Sequence, residues 1–258
     1  MAVKKAEKSG GLEIHALKTG RVKLRIIGNT PLYFNAMSVK AMRTLLVGGG
    51  KKTAAEKREI KHDPEAEFRA SVYKTKTGPT LLCFPAPGIK SAMSTAALET
   101  AGVTKSSVQR LIFLPEAKVK IWGKPFLKMD VVRSADMNRT PDVRTRAFLP
   151  QWCSEIDIQY VQPTLSKHSV FSLLTNAGIM CGIGDFRQEK GKGSFGTFSV
   201  YADNISSEDQ EIWDEITKQG RDVQQAAMDA AMDQAECYDE ETEALMEFLV
   251  GERIRRAA

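Results

Sequence analysis

Residues 182–200 read GIGDFRQEKGKGSFGTFSV, and the rest of the chain is organised around them. Gly182, Gly184, Gly191, Gly193 and Gly196 surround Arg187, Lys190 and Lys192. Glycine reaches positive φ and leaves the backbone bare enough for a ligand to approach closely. Cations beside such a backbone suit an anion, most simply the phosphates of a nucleic acid. The same spacing also describes a mobile hairpin loop with solvated charges. No G-x-x-x-x-G-K-[ST] occurs, and the GxG leads towards a strand rather than a helix, so this is not a triphosphate-binding loop.

Working outward, Pro163-Thr164 opens a helix over 165–179, with Val170, Leu173, Leu174 and Ala177 as its apolar stripe. Before it, Ser154–Val161 alternates as a strand, with Ile156, Ile158 and Tyr160 on one side. After the glycines, Phe195, Phe198 and Val200 alternate as another. Near the start, Arg21–Ile27 is a half-buried strand with Val22, Leu24 and Ile26 on one face and Arg21, Lys23 and Arg25 on the other. The turn Gly28-Asn29-Thr30-Pro31 ends it, and Ser38 caps a helix from Val39 to about Leu46.

The middle of the chain carries long insertions. Lys51–Glu67 reads as an exposed charged stretch, Phe68–Tyr73 and Thr80–Phe84 as strands, and Ile89–Glu99 as a helix. Val108–Leu114 reads as a buried strand, and Val119–Trp122 with Leu127–Val132 as a hairpin about Gly123-Lys124-Pro125. Ser134–Leu149 reads as a long loop with a basic rim of Arg139, Arg144 and Arg146. From Ser206 the composition turns acidic and helical, in pieces ending near Gln219, Ala235 and Arg255. Val223, Ala227, Ala230, Ala231, Leu245, Phe248 and Leu249 are placed there to pack on a partner or on the body.

The net charge of +5 hides a division. Residues 1–202 hold 32 Lys and Arg against 16 Asp and Glu, whereas 203–258 hold 5 against 16. The expected organisation is a flexible basic N-terminus (1–20), a nucleic-acid-binding body (21–202) and an acidic helical tail (203–258). A basic body suits a polyanion, and the tail suits a protein partner, competition for the basic surface, or plain solubility. No apolar run approaches the roughly 20 residues that span a bilayer. MAVKKAEKSGG has no apolar segment after it, so a cytoplasmic, membrane-free protein is expected. Cys83, Cys153, Cys181 and Cys237 lie singly, as do His15, His62 and His168, which suits inert thiols and no metal site. No cofactor is expected.

The order strand, helix, strands, helix, strand matches a ferredoxin-like or RRM-type α+β fold, an antiparallel sheet with helices on one face and long insertions. In that setting Gly182-Ile183-Gly184, the basic stretch Arg187–Lys192 and Ser194-Phe195-Gly196 resemble the glycine-rich loop of the RAMP superfamily. That superfamily includes nucleic-acid-binding subunits of CRISPR effector complexes. Leu24–Leu32 (LRIIGNTPL) is similar to the strand and "TPL" turn with which such proteins often begin. The resemblance frames most of residues 20–201 and implies copies arranged side by side along a strand. It departs from the cleaving members, because the turn after the first strand holds Asn29 and Asn35 and no carboxylate.

The reading is therefore a non-catalytic protein coating single-stranded RNA or single-stranded DNA by its backbone. Phosphates would meet Arg21, Lys23, Arg25, Arg139, Arg144, Arg146, Arg187, Lys190 and Lys192. The bare turns would come from Gly182, Gly184, Gly193 and Gly196. Tyr33, Phe186 and Phe195 complete the set, with stacking on a base worth about 1–3 kcal/mol. A phage annealing or single-strand-binding protein fits the acidic tail equally well. A ribonuclease would need His168 or His15 as a base, or metal held near Asp130, Asp136 and Asp142. A virion protein whose basic face meets packaged nucleic acid is a further alternative.

Overall fold

The computed structural model describes residues 16–47, 62–133, 141–190, 193–202, 205–231 and 233–257. Strand β1 (Lys18–Gly28) follows from the alternation in its sequence: Val22, Leu24 and Ile26 are buried while the residues between them face outward. It pairs antiparallel with β9 (Cys153–Gln162) from Lys18↔Gln162 to Ile27↔Cys153. Its other edge takes β10 (Phe198–Tyr201), and β9 takes the short β5 (Ile112–Phe113). The strand order is β10-β1-β9-β5, antiparallel at every pairing.

Helices α3 (Ala86–Ala96) and α4 (Lys105–Leu111) precede β5, and α5 (Lys167–Met180) lies between β9 and β10. Counting β1, β5, β9 and β10 as strands one to four gives the order 4-1-3-2 with a helix before the second and fourth. This is the βαββαβ pattern of a ferredoxin-like fold. Val170, Leu174 and Ala177 of α5 and Ile89 and Met93 of α3 meet Leu24, Ile26, Ile156 and Ile158 in one core. Burying each of the larger aliphatic side chains contributes about 1.5–3 kcal/mol.

Two smaller sheets come from the insertions. One has the order β2 (Leu32–Tyr33), β8 (Pro141–Leu149), β7 (Phe126–Arg133). The other has β3 (Tyr73–Lys74), β4 (Leu82–Pro85), β6 (Lys118–Lys120). Several sequence expectations change here. Most of Val108–Leu114 is helix α4, because Thr104 and Ser107 form a capping box that starts a turn before Val108. Phe68 lies in helix α2 (Pro64–Ala70), capped by Asp63 with proline in its first turn, so only Tyr73 of the expected strand is extended.

Residues 119–122 and 127–132 do not form a hairpin. β6 pairs with β4 and β7 with β8, because the chain changes sheet at Gly123, whose φ is 131°. The second half of the expected loop 134–149 is β8, with Thr145 to Leu149 buried. Its partner strand, not its own composition, makes it extended. The expected helix after Ser38 is α1 (Val39–Val47), and the Ser38 hydroxyl accepts the Ala41 N–H at 3.2 Å.

The acidic helices α6 (Ser207–Thr217), α7 (Arg221–Asp229) and α8 (Glu240–Ala257) are seated on the body. Trp213 and Ile216 pack with Ile27 and Cys153 on the far side of the main sheet. Gln224 is fully buried: its Oε1 accepts the N–H groups of Leu81 and Leu82 at 2.9 and 3.0 Å. Its Nε2 donates to the carbonyls of Ile121 and Gly123 at 2.8 and 3.0 Å. The inward positions are Gln224, Met228 and Met246 rather than the alanine stripe and Phe248. Cys83, Cys153 and Cys181 are buried free thiols, and burial pushes Cys153 up to about 12.

Candidate nucleic-acid interface

The glycine loop leaves α5 through Gly182, whose N–H donates to Ala177 O at 2.9 Å with φ 65°. It then lies along the turn that follows β1. Gly196 N–H donates to Pro31 O at 2.9 Å, Asp185 N–H to Tyr33 O at 3.1 Å, and Ile183 N–H to Gly196 O at 2.9 Å. A Cβ on Gly184 would stand 2.5 Å from Tyr33 O, and one on Gly196 would stand 1.8 Å from Ile183 O. The bareness of these two glycines is thus used against the chain's own backbone. That contact joins the loop to the "TPL" turn, two segments that lie about 150 residues apart in the sequence.

Beneath the loop lies an aromatic cluster. The buried Tyr33 ring meets Phe148, Phe195 and Phe186 edge-on, with centroids 4.7, 4.9 and 5.4 Å away. Its hydroxyl donates to Asp130 Oδ1 at 3.3 Å. Burial first, and the Asp130 charge second, push that hydroxyl's pKa well up. Arg146 of β8 is buried, holds Asp185 Oδ2 at 3.2 Å and lies 4.8 Å over the Phe186 ring. Asn35 donates to the same Asp185 oxygen at 2.9 Å. Arg146 Nε and Nη1 and Asp130 Oδ2 are buried without hydrogen-bond partners among the described residues. Burial lowers the Arg146 pKa, while Asp185 works the other way.

The loop therefore brings Tyr33, Arg146, Gly182, Gly184, Phe186, Arg187, Gly193, Phe195 and Gly196 together from three distant segments. Arg187 donates to Glu189 Oε2 at 2.8 Å and to Gly184 O at 3.1 Å. Lys190 ends a short 3-10 turn, Gln188–Lys190. Lys192 and Arg139 lie outside the described residues. Arg144 is exposed on the β7–β8 hairpin, across from Asp130.

Arg21, Lys23 and Arg25 stand apart from this cluster, on the outward face of β1. Arg21 is ion-paired with Asp157, and its hydrogen bond holds that carboxyl below the usual range. Lys23 lies 3.5 Å from Glu155. Arg25 donates to Gln210 at 3.0 Å and lies 5.1 Å over the Trp213 ring.

Sequence reading missed two residues. Arg133, exposed at the end of β7 beside Arg144's strand, was hidden behind the apolar run that precedes it. His62 sits between Glu67 and Asp142, 2.9 Å from one and 3.1 Å from the other, and no local signal links residues 80 apart. His168 is exposed at the start of α5, and His15 lies outside the described residues. Among the described residues no group of three His, Cys, Asp or Glu side chains could hold a metal ion. No described helix is long and apolar enough to cross a membrane.

No protein-family model matches the chain, and no curated protein does. Among solved structures it is similar to a chain of the type III-B Cmr-beta complex bound to cognate target RNA, at 12% identity and a TM-score of 0.38. The match covers 70% of this chain and 59% of that one.

Proposed function

We propose that this chain is a RAMP-like, non-catalytic protein that holds single-stranded RNA by its sugar–phosphate backbone, with copies side by side along the strand. The observation that supports this is the convergence of the glycine loop, the turn after β1 and the β7–β8 hairpin at one place. Cations already paired inside the fold, Arg146 and Arg187, give the loop its shape. The exposed Arg133 and Arg144, together with Lys190, Lys192 and Arg139, meet phosphates. Backbone contacts of this kind are steeply salt-dependent and nearly indifferent to sequence.

The test is purification without nuclease, followed by the absorbance ratio and sequencing of whatever co-purifies, then binding of labelled RNA and DNA single strands across a salt series. The reading expects bound polymer of mixed sequence, affinity that falls steeply with salt, and RNA that stays intact with or without magnesium. Protein free of polymer that ignores both strands at low salt contradicts it. Preference for DNA would move the chain to the annealing-protein alternative.

A further inference from the structure

Helix α1 displays its apolar side chains instead of burying them. Val39 is 56% exposed, Met42 44%, Leu45 72% and Leu46 84%. Val39, Met42 and Leu46 follow the spacing that makes one helical stripe, and the helix carries Lys40 and Arg43 with no carboxylate. Nine residues are too few for a helix to be stable without packing. Elsewhere, Pro64, Met129, Val143, Leu245, Phe248 and Leu249 line a largely apolar groove along α8, with His62 and Thr145 as its polar members. From Glu240 to Glu252 that helix holds five glutamates and no lysine or arginine, and Arg253, one turn beyond Leu249, is paired with Asp63 at 3.1 Å. Glu241 stands one turn before Leu245 on the same side.

An apolar stripe on a helix whose only charged residues are cations, and an apolar groove along a helix rich in glutamate, thus occur on one chain. We propose that α1 of one copy seats in the α8 groove of the next. The mode is a helix laid into a groove. Because the two surfaces differ, the contact is head-to-tail and adds copies one after another. Its use rests on the side-by-side reading above, but the contact itself requires no polymer.

The test is sedimentation velocity on the full chain freed of nucleic acid. Three proteins are compared: the wild type, a Met42→Glu/Leu46→Glu variant and a Phe248→Arg variant, all altered at exposed positions and checked for native melting. The wild type should associate with rising concentration, and each variant alone should do so at least tenfold more weakly. Mixed one to one, the two variants should form pairs that grow no further, because the first still offers its groove and the second its helix.

A wild type that stays monomeric at about 100 µM, a contact worth less than about 5.5 kcal/mol, overturns the proposal. So does a variant that associates like the wild type, or a mixture that stays monomeric. RNA retention measured in parallel separates the two claims. A monomer that retains RNA overturns the seat alone, and assembly without retention overturns the nucleic-acid reading alone. Should the helix variant lose RNA while the wild type is monomeric, α1 belongs to the polymer and the seat is again overturned.

Discussion

Arg146 and Asp185 meet at 3.2 Å beneath the glycine loop, and the pair ties strand β8 to the loop. The guanidinium is buried, so removing it leaves the Asp185 carboxylate without its counter-charge, held by Asn35, and opens a gap against Phe186. Breaking a buried pair by deleting one partner costs about 3–5 kcal/mol, and the partial exposure of Asp185 brings the expectation to about 2–3 kcal/mol. Arg146→Met should therefore lower the urea midpoint while leaving the salt dependence of RNA binding as steep as before. A normal midpoint with a shallower salt dependence would make Arg146 a phosphate contact instead.

Gly196 has φ 70°, and a Cβ there would collide with Ile183 O. Gly196→Ala combines an unfavourable backbone region with a main-chain clash, and each alone costs on the order of 1–3 kcal/mol. Thermal melting should fall by several degrees. Backbone amides of residues 183–186 should exchange faster with solvent, since the loop's anchor is lost. Unchanged exchange there would mean that the loop is held by its side chains alone.

Gln224→Leu keeps the bulk of the side chain and deletes all four of its hydrogen bonds. Two N–H groups and two carbonyls are then buried without partners, each at about 1 kcal/mol or more, so stability should fall by roughly 4 kcal/mol. Denaturant unfolding with tryptophan fluorescence reads this directly. A loss confined to 206–257, with the rest still folded, would show that the acidic helices and the body unfold separately.

Burial works to raise the Asp239 carboxyl, but hydrogen bonds from Lys128 and Thr242 more than offset it and hold it below its ordinary 3.8. A carboxyl whose folded pKa lies below its unfolded value stabilises the fold above the unfolded value. That contribution disappears as pH falls through the folded value. Asp239→Asn should lower stability at neutral pH and flatten the acid limb of the stability profile below about pH 4. Parallel profiles for variant and wild type would contradict this.

The framework of the fold was legible because β1, β9, α5 and β10 carry their own periodicity, and their order fixes the ferredoxin-like pattern. The insertions were less so. β8 is strand only because β7 lies beside it, and Val108 with Leu111 fits a helix as well as a strand. The glycine loop was visible, yet its reason was half read: Gly184 and Gly196 admit the chain's own backbone. The pairing of Arg21, Lys23 and Arg25 could not be read locally, since Asp157, Glu155 and Gln210 lie more than 130 residues away along the chain.

The central claim is that cations of the loop and hairpin hold a single strand by its phosphates. Its most direct measurement is the salt dependence of RNA affinity in a still-folded Arg133→Ser/Arg144→Ser/Lys190→Ser/Lys192→Ser variant. Each phosphate contact on a single strand contributes about 0.7 to the slope of log affinity against log salt. Four lost contacts should make the slope shallower by about 3, with weaker binding to every sequence tested. A slope and affinity equal to those of the wild type would contradict the account.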